Sequence, residues 1–523
     1  MSENQKQILE QKLWNIANTL RGRINADEYR NYILGFIFFK YLSEKQHFYA
    51  NNLLADETVK EYTLIKDEET LSAIKEESLH TLGYFLAPDQ LFDVLTKLGT
   101  EKGADNFIIE KVEMVLNHIE QTTMGTESEE DFNGLFQDMD LASQKLGKTP
   151  DKRNEVVVEI LTKLNEIDFR LQDVDADVLG DAYEYLISNF AAGAGKSAGE
   201  FYTPQQVSTI LAKIVTLGKD KIRSVYDPTC GSGSLLLRVA KQTKVADFYG
   251  QELNPTTYNL ARMNMILHDV HFSHFNIEQD DTLEEPRHLE QRFEAIVANP
   301  PFSANWKGDA HTLNASDARF NQFGKLAPKT KADFAFLQHM YYQLADNGTV
   351  ASVFPHGVLF RGASEGGIRE YFIKELNAID AIIGLPANIF YGTSIPTCIV
   401  VLKKCRKADD NIVFIDASGG EFYIKGTNQN ILTEEGISKI IQFYRDRNEV
   451  NKICHITTLE EIKENEYNLN IPRYIDAFEE EEIIDIFKVV KRLNELDGEL
   501  KKSNEKLLAF CEELNIPKPF SNE

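Results

Sequence analysis

The chain reads as an α/β protein. It predicts a doubly wound, mainly parallel sheet with helices on both faces, preceded by a helical region and followed by one long helix. Three observations carry this. Between about residues 220 and 404, short apolar runs alternate with helix-period segments. Residues 1–165 show helix-period patterning only, and a heptad seam occupies the C-terminal tail.

At 523 residues the chain exceeds what one compact core can hold, and 42% hydrophobic with 10% aromatic residues suffices to bury real cores. The first segment, 1–165, has Leu9, Leu13, Ile16, Ala17 and Leu20 at helix spacing. Asp27 can cap a second helix bearing Tyr32, Ile33, Phe36, Phe39 and Tyr41, and amphipathic stretches follow at 89–97, 107–120 and 153–165. This segment is expected to be a helical interaction domain without chemistry of its own.

The second segment, 170–475, has strand candidates at 223–227, 247–252, 272–277, 293–298, 349–354, 380–385 and 397–403. Helices are expected between them, for example at 235–243, 255–268 and 333–345, which gives a Rossmann-like catalytic domain whose ligands bind at the carboxyl ends of the strands. In the third segment, 478–523, Ile486, Leu493, Leu500, Leu507 and Leu514 recur every seven residues. Val489, Leu496, Ser503 and Phe510 fill the offset of three, so a coiled-coil-like helix for assembly is expected, within the chain or with a partner.

Two motifs close predicted strands. Asp227-Pro228-Thr229-Cys230-Gly231-Ser232-Gly233-Ser234 follows the first strand and opens a helix. Its glycines let backbone approach a ligand, and the helix start at Ser234 favours an anionic group such as a methionine carboxylate. Asp227 can accept from a cofactor amino group, Glu252 ends the next strand where ribose hydroxyls are held, and the Asp280-Asp281 pair follows the third strand, where Asp281 is a candidate for the cofactor adenine and Asp280 an alternative. A dinucleotide fingerprint would need glycine or alanine at 236, which is Leu, so S-adenosylmethionine is preferred over NAD.

The second motif, Asn299-Pro300-Pro301-Phe302, follows the apolar run 293–298. An aromatic amine is a poor nucleophile because its lone pair is delocalised into the ring. The Asn299 side-chain oxygen and the Pro300 carbonyl can accept its hydrogens and bias it toward tetrahedral geometry. The prolines stiffen the turn, and Phe302 offers a face for an extruded base. Asn rather than Ser at 299 favours adenine over the cytosine amine. The chain contains no Pro-Cys pair, which argues against attack by cysteine on a pyrimidine carbon. The motifs together point to methyl transfer to an amino group, without a metal. A glutamine side chain of a protein as acceptor, and an inert cofactor-binding scaffold, remain as alternatives. Loop 303–330 beside the target pocket is expected to close over the base.

Composition adds the setting. With 56 basic and 82 acidic residues, a net charge of −26 argues against the chain wrapping DNA unaided, so a more basic partner is expected. Five scattered cysteines, a start without a signal-peptide pattern and no apolar run of membrane-spanning length predict a soluble cytoplasmic protein.

The chain resembles the modification (methyltransferase) subunit of type I restriction-modification systems, whose enzymes methylate adenine at N6. The resemblance rests on LWNIANTLRGRINADEYRNYILGFIFFKYLSEK at 13–45, GEFYTPQQV at 199–207, DPTCGSGSLLL at 227–237, ANPPF at 298–302 and YNLNIPRYID at 467–476. It implies that Glu200, Phe201, Tyr202, Thr203, Pro204 and Gln205 join the cofactor site with Gly231, Ser232, Gly233, Ser234 and Glu252. Asn299, Pro300, Pro301 and Phe302 match the catalytic motif. Cys230 departs from the small residue, such as Ala, often found there. The resemblance also implies a separate specificity subunit that reads the DNA, two methyltransferase copies per specificity subunit, and a restriction subunit that can join.

Overall fold

The computed structural model describes residues 3–20, 26–101, 106–169, 171, 178–193, 203–310, 314–390, 393–427, 429–476, 486–517 and 519. The chain forms two compact units, Met1–Ile475 and Asp476–Glu523.

The first unit opens with helices α1 (Glu3–Leu20), α2 (Ala26–Leu53), α3 (Glu68–Thr81), α4 (Phe92–Thr100), α5 (Ile109–Thr123), α6 (Glu129–Phe132) and α7 (Pro150–Asn165). Local chemistry starts two of them. Asp67 accepts from the Thr70 amide at 2.8 Å to cap α3, and Thr149 caps α7 with Pro150 in its first turn. The middle of α2 is apolar all round, and Ile33, Leu34, Phe36, Ile37, Phe38 and Phe39 are all buried, which marks a helix enclosed on every side. Helices α8 (Val178–Gly193) and α9 (Gln205–Val215) then lead into the sheet.

Nine strands form one sheet: β1 (Lys221–Asp227), β2 (Lys244–Glu252), β3 (Phe275–Gln279), β4 (Phe293–Ala298), β5 (Leu344–Pro355), β6 (Ile379–Gly384), β7 (Thr397–Lys403), β8 (Ile412–Asp416) and β11 (Cys454–Thr457). Their order is β11-β8-β6-β7-β5-β4-β1-β2-β3. Strand β7 runs antiparallel between β5 and β6, and β11 antiparallel to β8, while the other pairs are parallel. Strands β9 (Tyr423–Lys425) and β10 (Asn430–Leu432) make a separate hairpin. Helices α10 (Ser234–Ala240), α11 (Pro255–Leu267), α12 (Asp333–Gln343), α13 (Gly357–Phe360), α14 (Ala363–Lys374), α15 (Glu434–Asp446) and α16 (Leu459–Glu464) complete the unit.

Alternation along the strands sorts side chains into two cores. Val225, Ala295, Val297, Ala351 and Val353 join the N-terminal helices in one. Tyr226, Ile296, Ala298, Val350 and Phe354 join α12 and α14 in the other. Several strand edges differ from expectation, two of them for a local reason. Residues 272–274 form a 3-10 turn, held by the His271 ring nitrogen accepting from the Ser273 amide, and β3 begins only where Phe275 pairs with Phe248. At 344–345 the expected end of a helix is already strand, because Leu344 pairs with Phe293. Strands β8 and β11 lie beyond the predicted alternation.

The second unit is α17 (Ile486–Glu513). Along its seam Ile486, Leu493, Leu500 and Leu507 stand exposed. Among the described residues no helix is long and apolar enough to cross a membrane.

The far half of the sheet is tied by one carboxylate. Asp380 on β6 is buried and meets Arg406 at 2.6 Å, Lys403 at 3.0 Å and Arg447, while Tyr444 on α15 donates to it at 2.8 Å. The three cations hold its carboxyl down to about 2 against the cost of burial. Asp380→Asn keeps the shape but leaves the cations without their counter-charge, and is expected to destabilise the fold by about 3–5 kcal/mol at neutral pH. A folded-state pKa below the unfolded value of about 3.9 means that this stability is present above pH 4 and lost as pH falls toward 2. Thermal melts of both proteins should therefore differ fully at pH 7 and converge below pH 4; equal melting at pH 7 would overturn this account.

Candidate active site

Strands β1 and β4 are neighbours, and the chain leaves β1 toward β2 and β3 but leaves β4 toward β5. This reversal opens a crevice at their carboxyl ends, and both sequence motifs stand there.

The segment after β1 is a tight loop held by backbone. The Cys230 amide donates to the Gln251 carbonyl (3.0 Å), the Gly233 amide to the Cys230 carbonyl (2.8 Å), and the Asn264 side chain to the Ser232 carbonyl (3.0 Å). Gly231 and Gly233 have φ of 54° and 77°, and a Cβ on Gly233 would stand 3.0 Å from the Met265 methyl group. The Ser232 and Ser234 hydroxyls share a 2.8 Å hydrogen bond.

Asp227, buried, accepts from the Thr229 amide at 2.9 Å. Burial pushes its carboxyl up to about 8, and the nearby Glu252 adds to the shift. Glu252 accepts from the Gly231 amide (3.0 Å) with one oxygen and from the Asn254 amide (2.9 Å) with the other, so the end of β2 braces the glycine loop. Burial raises its pKa as well. Of the acidic pair after β3, Asp280 bonds Arg287, whereas Asp281 accepts from the Leu283 amide (2.9 Å) and lines the cleft.

That cleft has a volume of about 580 Å³. Glu252, Asp281, Pro301, Leu253, Leu283 and Phe336 are among its walls. Carboxylate acceptors among apolar side chains suit a flat heterocycle on a hydroxylated ring. Of the family-implied segment, Glu200, Phe201 and Tyr202 lie outside the described residues. Thr203 and Pro204 are buried, and Gln205 opens α9, which packs against α10, the helix that follows the glycine loop.

Asn299 and Pro300 are buried at the end of β4, with Pro301 and Phe302 half-buried. Sequence reading missed two partners of this turn. Phe390, in the loop after β6, meets Phe302 edge-on with centroids 5.7 Å apart. Asp333, the buried first residue of α12, accepts from the Ser303 amide (2.9 Å) and hydroxyl (3.4 Å) and from Arg361 (2.6 Å), which also pairs with Glu365. Ser303 has φ of 52°, a conformation that costs about 1–2 kcal/mol and is held by these bonds.

The described part of loop 303–330 is packed rather than free. Trp306, Phe320 and Phe323 are buried. Arg319, also buried, donates to the Thr282 (3.0 Å) and Leu283 (2.7 Å) carbonyls and meets the His339 ring at 3.0 Å, so it braces the wall that carries Asp281. A lone loop arginine gives no sequence signal for this; the aromatics Trp306, Phe320 and Phe323 in an otherwise polar stretch are the only hint.

Residues 174–483 match the family model described as N-6 DNA Methylase, and residues 9–164 match HsdM N-terminal domain. The chain is similar to the type I restriction enzyme MpnII methylase subunit of Mycoplasma pneumoniae, 37% identical over 530 residues, covering 98% of this chain and 97% of that protein. A crystal structure of a type I restriction-modification system methyltransferase subunit from Streptococcus thermophilus superposes with a TM-score of 0.81 at 43% identity, covering 90% of this chain and 100% of that one. A structure from a study of type I R-M system assembly and conformational transition shares the fold, with a TM-score of 0.62 at 20% identity over 97% of this chain and 99% of that one.

The clamp on Ser303 yields a test. Asp333→Asn removes the charge that holds Arg361 and the turn after Phe302, and is expected to lower turnover about 10–100-fold while changing the Michaelis constant for the small cofactor little, since a loop shift near 1 Å carries a cost of that order. Steady-state kinetics checks it; unchanged turnover would show that the clamp does not position the motif.

Proposed function

The chain belongs to the N-6 DNA methylase family, among the methylase subunits of type I restriction enzymes, and from that premise we propose how its residues carry out N6-adenine DNA methylation. The observation that carries the reading is the pairing of Asn299-Pro300-Pro301-Phe302 with the braced glycine loop at the crevice between β1 and β4. Membership in the family sets aside the protein-glutamine and inert-scaffold alternatives.

The cleft residues fit S-adenosylmethionine. Glu252 suits the ribose hydroxyls, Asp281 the adenine amine, and Asp227 with the Gly231–Ser234 loop the amino-acid end, where a cationic ammonium would return the Asp227 carboxyl to its ionised form. When bound, that cofactor supplies a methyl group activated by its sulfonium. Thr203, Pro204 and Gln205, together with Glu200, Phe201 and Tyr202, are assigned to the same cofactor by the family resemblance of GEFYTPQQV.

The remaining chemistry belongs to the target base. The Asn299 oxygen and the Pro300 carbonyl accept the two amine hydrogens and draw the lone pair out of the ring. Phe302, backed edge-on by Phe390, offers a face for the extruded adenine, whose unstacking from the duplex is offset by contact with that face. Asp333 keeps the turn in register. Positioning supplies most of the rate, since sulfonium is a good leaving group.

DNA sequence is read elsewhere. A chain with a net charge of −26 needs a more basic partner to hold DNA, and we assign that role to a specificity subunit, with two copies of this chain per specificity subunit and a restriction subunit able to join, in the cytoplasm. The exposed seam of α17 is the surface we assign to assembly with the specificity subunit.

Two experiments follow. Tritiated methyl transfer to plasmid DNA should yield N6-methyladenine only when a cognate specificity subunit is added, and Asn299→Ala should abolish it while leaving cofactor affinity within about tenfold. Incorporation by the chain alone, or an active Asn299→Ala variant, would sink this mechanism. Deleting 486–523 should weaken co-purification with the specificity subunit and spare cofactor binding; full-yield co-purification would refute the role given to α17.

A further inference from the structure

The N-terminal helices do more than pack against the sheet. The second turn of α2 places Arg30 and Asn31 on the wall of the cleft that holds Glu252, Asp281 and Pro301, on the side of Thr256 and Thr257 at the amino end of α11. Arg30 Nε donates to the Asn31 oxygen at 3.2 Å. Both residues also border the small pocket beneath, between Leu34, Met139 and Leu260, so their stems run along the seam between the N-terminal helices and α11.

That seam is built from polar ties. The Asp138 carboxylate accepts from the Thr256 hydroxyl (2.8 Å) and the Asn259 amide (3.1 Å), both in the first turns of α11. Arg262, 1% exposed, donates to the Glu130 (2.7 Å) and Asn133 (3.0 Å) carbonyls. The Tyr41 hydroxyl donates to the Ile266 carbonyl at 2.9 Å. One helix therefore has its amino end in the cleft and its flank gripped by the N-terminal helices.

The chemistry of the cleft calls for donors on this wall. Ionised Glu252 and Asp281 can only accept hydrogen bonds, so they satisfy hydroxyl and amine hydrogens and leave the ribose oxygens and ring nitrogens of an adenosine in need of N–H groups. Arginine and asparagine carry such groups and face them from α2.

We propose that the cofactor site is composite: Arg30 and Asn31 of the N-terminal helical part bind the ribose side of the adenosine, and Asp138 is a positioning residue that fixes the first turn of α11. The inference rests on the reading of the cleft as the S-adenosylmethionine site. Its consequence is coupling. A partner or DNA that shifts the N-terminal helices changes cofactor affinity, and cofactor occupancy biases their position by the same factor.

Calorimetric titration of the full chain with S-adenosylmethionine, S-adenosylhomocysteine and 5′-methylthioadenosine tests it. Arg30→Met should weaken all three ligands about 10–100-fold, Arg30→Lys should recover part of the loss, and the kinetic effect should fall on KM for the cofactor rather than on kcat. Asp138→Asn should give a smaller loss in the same direction. Asn31→Ala should also weaken all three ligands, and carries the test if Arg30→Met does not fold. Wild-type affinity in Arg30→Met, or in Asn31→Ala where Arg30→Met is unfolded, overturns the proposal, as does a loss that disappears with 5′-methylthioadenosine, which would put the contact at the amino-acid end. A wild-type chain that binds none of the ligands would instead overturn the cofactor reading itself.

Discussion

Parallel strands β1 and β4 lie side by side, and the chain leaves their carboxyl ends in opposite directions, which opens a crevice between the two departing loops. A closed active centre has to be built around that space from side chains and tight turns. Glu252 braces the glycine loop from one side, Arg319 braces the wall with Asp281 from another, and Asp333 holds the turn after Phe302. Each is a charged group accepting or donating to backbone, which fixes loop geometry more narrowly than apolar packing would.

This choice of buried charge costs stability where it is made. Asp227, Glu252, Asp333 and Arg319 lose hydration, and burial shifts the carboxyls of Asp227 and Glu252 upward. The loss is offset by the two large apolar cores that sandwich the sheet, and by the Asp380 cluster, which ties the half of the sheet farthest from the catalytic crevice. Order is thus concentrated where reacting groups must be held to fractions of an ångström.

The two ends of the chain differ in how they serve the centre. The N-terminal helices share a core with the sheet, and α2 brings Arg30 and Asn31 to the cleft beside the amino end of α11. In α17 the apolar seam stays exposed, while its heptad spacing is that of a helix that buries one stripe against another helix.

Much of this was legible in the amino-acid order alone. The alternation of strands and helices, the glycine loop at 227–234, Glu252, and Asn299-Pro300-Pro301-Phe302 are local patterns, because period, turn chemistry and strand-end placement are properties of contiguous residues. Only the tertiary structure decided that β7 inserts antiparallel between β5 and β6, that Asp281 rather than Asp280 lines the cleft, and that loop 303–330 is packed by Trp306, Phe320 and Arg319. The same is true of Phe390 against Phe302, Asp333 under Ser303, and Arg30 on the wall of the cleft that Glu252 also lines. Each joins residues tens to hundreds of positions apart, and no local period encodes which distant side chain the closing of a sheet will bring into reach.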